Sequence, residues 1–221
     1  MSGRSGHRLS AKSLPPRKRG HMRQRKKAQR PPKGSDEPLI LVDEGNRARG
    51  TASKLAIHQA GLLHRAFSIF MVDGRGRMLL QRRNPLKYHS GGLWANSCCG
   101  HPRPGERTVT AARRRLNEEL GVSDPLKFGF FARYTAELDH GMQENELVYV
   151  YFGRLQSATN PDPAEVSELE FVSLAELKRR IGAKPSAFTY WMKHYVRHHA
   201  SEIGRHVRAA SSVPAGSSII L

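Results

Sequence analysis

The run from Gly100 to Val122 constrains this chain more than any other segment, because it joins a loop punctuated by Gly and Pro directly to a strongly patterned helix. From Glu106 to Leu120 the apolar residues Val109, Ala112, Leu116 and Leu120 recur at steps of three and four, which lines one face of an α-helix. Gly121 supplies the expected stop. Arg115 and Glu119 stand four apart on this helix, so a cation and a carboxylate share a face. Taken alone, such a pair is a solvated ion pair of little energetic value.

Strand and turn chemistry alternate around the helix. Pro38 to Asp43 reads as a short buried strand before the Glu44-Gly45-Asn46 turn. Arg65 to Val72 and Arg77 to Arg82 flank Asp73-Gly74-Arg75-Gly76 and predict a hairpin. Asn84 to Pro104, interrupted by Pro85, Gly91, Gly92, Gly100, Pro102 and Pro104, reads as an irregular functional loop. Lys127 to Glu137 and Glu144 to Leu155 are strand-like, and a short strand falls near Glu170 to Val172. Ser173 to Glu176 is a capping box opening a helix to about Ile181, and Phe188 to His199 predicts a last helix. Strands and helices mix without a strict βαβ repeat. The expectation is an α+β fold, an α/β sandwich with a mixed sheet flanked by helices, in a single domain over residues 37–200.

The net charge of +18 suggests nucleic acid, but it is unevenly placed. Residues 1–34 hold twelve Lys or Arg and no acid; without them 25 basic residues face 19 acidic ones, a net of +6. That remainder suits an enzyme of anionic substrates. Residues 1–36 have too few large apolar side chains to offset ordering entropy, so a disordered basic tail is expected there, and a flexible C-terminal tail over 201–221. Weak contact with RNA or acidic lipid, a transit-like role, or an upstream extension before a later start at Met22 are the readings open for the basic tail. No apolar run approaches the roughly 20 residues of a membrane-crossing helix. Cys98 and Cys99 are adjacent and cannot staple distant segments. A soluble, cytoplasmic protein is expected, monomeric or weakly dimeric, with no specific nucleic-acid partner.

A second constellation lies at Glu144-Asn145-Glu146. The strand period of two turns both carboxylates to the face shared by Val148, Val150 and Phe152, and buried carboxylates require a cation. His58, His64 and His101 are available ligands. His58 and His64 are six apart, a spacing that aligns them on a strand but not on a helix, so by itself it carries little weight.

The pattern Gly100, five residues, Glu106, seven residues, Arg114-Arg115-Leu116-Asn117-Glu118-Glu119-Leu120-Gly121-Val122 resembles the Nudix box, in which helical carboxylates converge on Mg²⁺ to hold a diphosphate. One fixed position departs: Arg115 stands where the box has glutamate. Hydrolysis needs the fuller acidic cluster, so the change favours a protein that holds a diphosphate without cleaving it. Leu93-Trp94-Ala95-Asn96-Ser97-Cys98-Cys99-Gly100-His101-Pro102 and Glu144-Asn145-Glu146 further resemble the type 1 isopentenyl-diphosphate isomerases, over about Leu39 to Met192. The resemblance implies conversion of isopentenyl diphosphate to dimethylallyl diphosphate, with Cys99 and Glu146 as catalytic groups and Tyr134 near the glutamate. It implies a site of His58, His64, His101, Glu144 and Glu146 for a second divalent ion, Mn²⁺, Mg²⁺ or Zn²⁺. It also implies a Mg²⁺ held by Glu119 and the Cys99 carbonyl, bridging to the diphosphate, and Lys54, Arg83, Lys87 and Arg115 as diphosphate-binding cations.

Moving an unactivated double bond requires proton carriers on two sides of the substrate. The expectation is that Glu146 delivers a proton and Cys99 removes one as a thiolate, its pKa lowered by the cations gathered for the diphosphate; Cys98 reads as a small buried hydrophobe. A second departure falls at Pro185-Ser186, where the resemblance requires Pro-Trp: Ser186 supplies no ring to stabilise a carbocation, and Trp191, Tyr190 and Trp94 are the neighbouring aromatic candidates. The competing readings are a Nudix hydrolase of nucleoside diphosphate derivatives and an RNA-binding protein acting through its basic tail.

Overall fold

In the computed structural model, which describes residues 36–87 and 89–212, the elements follow in the order β1 (Pro38–Val42), β2 (Ala48–Ser53), α1 (Lys54–Ala60), β3 (His64–Val72), β4 (Met78–Arg83), β5 (Trp94–Ala95), β6 (Cys98–Gly100), α2 (Thr108–Leu120), β7 (Leu126–Glu137), β8 (Gln143–Arg154), β9 (Val166–Val172), α3 (Leu174–Ala183), α4 (Tyr190–His198) and α5 (Ala200–Ser211). The tail expected over 1–36 lies, but for its last residue, outside the described residues, as do residues 213–221.

β3 is the spine of a mixed sheet. It is buried from Ala66 to Val72, as a strand covered on both faces must be. β8 runs parallel along one edge, from His64 opposite Glu146 to Val72 opposite Arg154. The other edge is shared in succession by β1 at His64, β6 at Phe67 to Ile69, and β4 at Val72. β7 closes onto β8 as a long antiparallel pair, and β9 pairs with β4.

The predicted hairpin of β3 and β4 therefore exists only at its base, where Val72 opposes Met78. The two strands part because the segment from Trp94 to Gly100 enters between them, β5 pairing with β4 and β6 with β3. Ser97 bridges the gap: its hydroxyl donates to the Leu79 carbonyl, 2.6 Å, and accepts from the Met71 amide, 2.8 Å. Backbone groups that a simple hairpin would pair are thus satisfied by a side chain. The stretch read as irregular accordingly contains two short strands.

Helices cover both faces. α2 packs Ala112, Leu116 and Leu120 against Phe67, Ile69 and Met71. α4 and α5 pack Trp191, Tyr195, Ile203 and Val207 onto the opposite face with Phe70, Val150 and Phe152. Residues 201–211, expected in a flexible tail, form α5 instead, because Ile203 and Val207 lie one turn apart and both are buried. α2 ends as predicted on Gly121, whose left-handed φ of 67° lets its amide reach the Asn117 carbonyl, 2.8 Å. β2 and α1 carry too little periodicity to be foreseen; α1 is fixed by its Ser53 cap, which accepts from the Ala56 amide.

Candidate active site

The ladder registers build one row of functional side chains across three strands. His64 of β3, Glu146 of β8 and Tyr134 of β7 are direct neighbours. Tyr134 donates its hydroxyl to Glu146 Oε2, 2.5 Å. Glu146 Oε1 lies 3.0 Å from His101 Nε2 and 3.5 Å from His64 Nε2. Two residues along β8, Glu144 brings Oε2 to 3.3 Å from His58 Nε2. Both carboxylates are buried, as the period of two requires.

His58 and His64 do not share a strand. His58 is on α1 and His64 opens β3, yet their rings are 5.1 Å apart because the turn at Gly61 folds one element onto the other. Their Nδ1 atoms lie 2.7 Å and 2.9 Å from the Lys54 and Leu62 carbonyls. Donation there leaves both Nε2 lone pairs turned towards the carboxylates. Neither Nε2 atom has a hydrogen-bond partner, nor does Glu144 Oε2, and all three are buried. Lone pairs facing a carboxylate in the interior call for a cation between them. Three overlapping groups have ligand atoms mutually within 4.8 Å: His58, His64 and His101; His64, Glu144 and Glu146; and His58, His89 and Glu144. The imidazole and carboxylate donors suit a divalent ion.

The charges respond to this packing. Burial opposes ionisation of Glu146, but the neighbouring His101 and His64 imidazoles hold its carboxyl well below the usual range. Burial and the adjacent Glu146 push Glu144 up. Burial drives His101 down to about 3, against the pull of Glu146. For His64 the balance is opposite: burial is outweighed by Glu146, and the imidazole is raised.

These groups open onto a cavity of about 740 Å³ whose wall includes Cys99, Glu146, Tyr134 and Trp191. The same cavity is lined by Lys54, Arg83, Lys87 and Arg115, so the structure brings the four predicted cations together with the predicted catalytic pair. Burial and the neighbouring Lys87 and Arg83 charges lower the Lys54 pKa. Arg83 is buried with its Nε lacking an acceptor. Glu165 pairs with Lys87 and, at 3.2 Å, with Arg115. Arg115 also reaches Glu119 Oε1 at 2.5 Å, which puts the cation and the carboxylate on one face as their spacing predicts. Glu119 Oε2 accepts from Gln81 Nε2, 3.1 Å.

Adjacent positions on β6 face opposite sides of the sheet, so Cys98 is buried among the α2 contacts while Cys99 turns to the cavity. The Cys99 thiol donates to Asn96 Oδ1, 3.1 Å, and lies 3.4 Å from the Ser68 hydroxyl, which meets Tyr195 at 2.8 Å. Burial pushes this thiol up to about 12. The expected lowering does not occur: Arg83 pulls in the foreseen direction, but desolvation is the larger effect.

Comparison with known proteins agrees with this architecture. Residues 62–192 match the family model described as NUDIX domain. An isopentenyl-diphosphate Delta-isomerase of Burkholderia multivorans is 46% identical over 156 residues, covering 71% of this chain and 89% of the relative. That of Streptomyces griseus is 49% identical, covering 69% and 78%, and that of Serratia proteamaculans 43%, covering 80% and 99%. The chain belongs to the Nudix family. Within it, this Nudix protein falls in the isopentenyl-diphosphate isomerase branch. A Deinococcus radiodurans protein shares the fold with a TM-score of 0.61 at 22% identity, over 73% of this chain and 98% of that one. A MutT protein from Methanosarcina mazei shares it at 0.53 and 16%, over 63% and 94%.

At the second departure the structure leaves Ser186 away from the cavity. Ser186 is exposed on a short 3₁₀ turn, Pro185–Ala187, outside the cavity. The indole in the cavity is Trp191 of α4, 3% exposed, with the Arg83 guanidinium 5.3 Å from its ring centre and its Nε1 donating to Asn96 Oδ1, 3.2 Å. Sequence reasoning also missed His89 and Asn96. Asn96 fell inside the quoted motif but had no assigned task, and His89 sat in a loop without periodicity. Among the described residues no helix of this Nudix chain is long and apolar enough to cross a membrane.

Proposed function

We propose that this Nudix chain isomerises isopentenyl diphosphate to dimethylallyl diphosphate, using Cys99 and Glu146 as the two proton carriers. The supporting observation is that a half-buried thiol and a buried carboxylate, each hydrogen-bonded, line one cavity with four cations suited to a diphosphate. One carbon of the double bond gains a proton, a tertiary carbocation forms, and a proton leaves the carbon beside the diphosphate-bearing carbon. No atom is gained or lost overall. Lys54, Arg83, Lys87 and Arg115 anchor the diphosphate. Tyr134 orients the Glu146 carboxyl, Asn96 and Ser68 hold the Cys99 sulfur, and the Trp191 ring face supports the cation. Burial favours the protonated form of the Cys99 thiol, and the neighbouring His101 and His64 favour the ionised form of Glu146.

His58, His64, His101, Glu144 and Glu146 would hold a divalent ion, Mn²⁺, Mg²⁺ or Zn²⁺, and Glu119 with the Cys99 carbonyl a Mg²⁺. When bound, these ions supply charge that balances the buried carboxylates and the diphosphate.

A hydrolase reading is disfavoured by Arg115, whose guanidinium occupies Glu119 where a further carboxylate would be needed. Incubation of the purified full chain with isopentenyl diphosphate and Mg²⁺ in deuterated water is expected to give labelled dimethylallyl diphosphate. Cys99→Ala and Glu146→Gln are each expected to abolish turnover while remaining folded. Phosphate release without allylic product, or near-native turnover in either variant, overturns the proposal.

A further inference from the structure

We infer that His89 is a further ligand to the divalent ion of the histidine and carboxylate cluster, an inference that rests on the proposed metal centre. His89 stands outside the five residues that the family resemblance implies for that centre. One of its ring nitrogens nevertheless falls within 4.8 Å of ligand atoms of His58 and Glu144. The facing atoms of these two residues, His58 Nε2 and Glu144 Oε2, are buried without hydrogen-bond partners, as is His64 Nε2. The His89 side chain is itself buried, and its ring stacks at 6.0 Å from that of His58 with 27° between planes. The indole of Trp191 stands edge-on to it, ring centres 6.2 Å apart. The buried imidazole therefore packs against both the ligand cluster and the aromatic wall of the cavity, which limits its freedom to turn.

Coordination by His89 would join two parts of the site. Arg83 donates to the His89 backbone carbonyl, 3.3 Å, and Lys87 precedes His89 by two positions in the same loop. An ion drawing the imidazole towards Glu144 fixes the segment that carries these cations. Metal loading then sets the geometry of the anion-binding wall through the backbone, without itself touching those side chains.

The test is Co²⁺ binding to the metal-free full chain, followed by absorption and by the paramagnetically shifted imidazole proton resonances that each coordinated histidine contributes. His89→Ala and His89→Gln are both expected to weaken Co²⁺ binding at least tenfold and to lose one such resonance while the others remain. Circular dichroism of each metal-free variant confirms that it is folded, and the glutamine variant keeps side-chain bulk where the alanine variant leaves a gap. Native affinity within twofold in either folded variant overturns the inference, and so does weaker binding with the full native set of resonances, because His89 then acts by packing. His64→Ala separates the two levels. If it binds Co²⁺ as tightly as the native chain, the metal centre itself falls; if it loses binding while the His89 variants do not, only the role of His89 falls.

Discussion

Tyr134 and Glu146 face each other directly across the β7–β8 ladder, and the tyrosine hydroxyl donates to the carboxylate over 2.5 Å. Antiparallel register places the two side chains on the same face of the sheet, so the contact is built into strand pairing. His64 occupies the matching position on the other side of Glu146. The carboxylate is thus gripped from both neighbouring strands.

Tyr134→Phe removes that donor and nothing else from the ladder. A hydrogen bond to a charged group contributes roughly 1.5–3 kcal/mol, so kcat for isopentenyl diphosphate is expected to fall roughly tenfold to a hundredfold. KM should change little, since Tyr134 does not belong to the anion-binding cations. Steady-state kinetics checks this; unchanged kcat would mean that the hydroxyl does not orient the reacting carboxyl.

Removing divalent ions with a chelator is expected to destabilise the chain, because Glu144 Oε2, His58 Nε2 and His64 Nε2 are buried without partners. An ion present at a hundred times its Kd stabilises by about 2.7 kcal/mol, which for a domain of this size is about 5–11 °C in Tm. Scanning calorimetry before and after chelation measures the difference, and readdition of the ion should restore it. An unchanged Tm would argue against a metal centre.

Alkylation of Cys99 should be slow at neutral pH and accelerate throughout the alkaline range. Burial raises the thiol to about 12, so the reactive thiolate is the minor form below that pH and its fraction grows tenfold per pH unit. Iodoacetamide labelling followed by mass spectrometry, with fragmentation to assign the modified sulfur, should show no plateau between pH 8 and 10 in the substrate-free protein. A plateau near the ordinary cysteine value of about 8.5 would show that the surrounding cations prevail over desolvation.

Periodicity and spacing determine what each element does to its own side chains. The steps of three and four in α2, the Gly121 stop, and the alternation that buries Glu144 and Glu146 together all follow from helix and strand geometry. The gapped motif and the Glu-Asn-Glu strand carried the family as well. The tertiary structure decided which elements meet. It parted β3 from β4, brought His58, His64, His89 and His101 from separate segments to one cluster, and placed Trp191 rather than residue 186 in the cavity. It also raised the Cys99 thiol where the nearby cations had suggested the reverse. Local geometry fixes the direction in which a side chain points along its own backbone. Its neighbours and the water it loses depend on long-range burial, to which residues far apart in the chain contribute together.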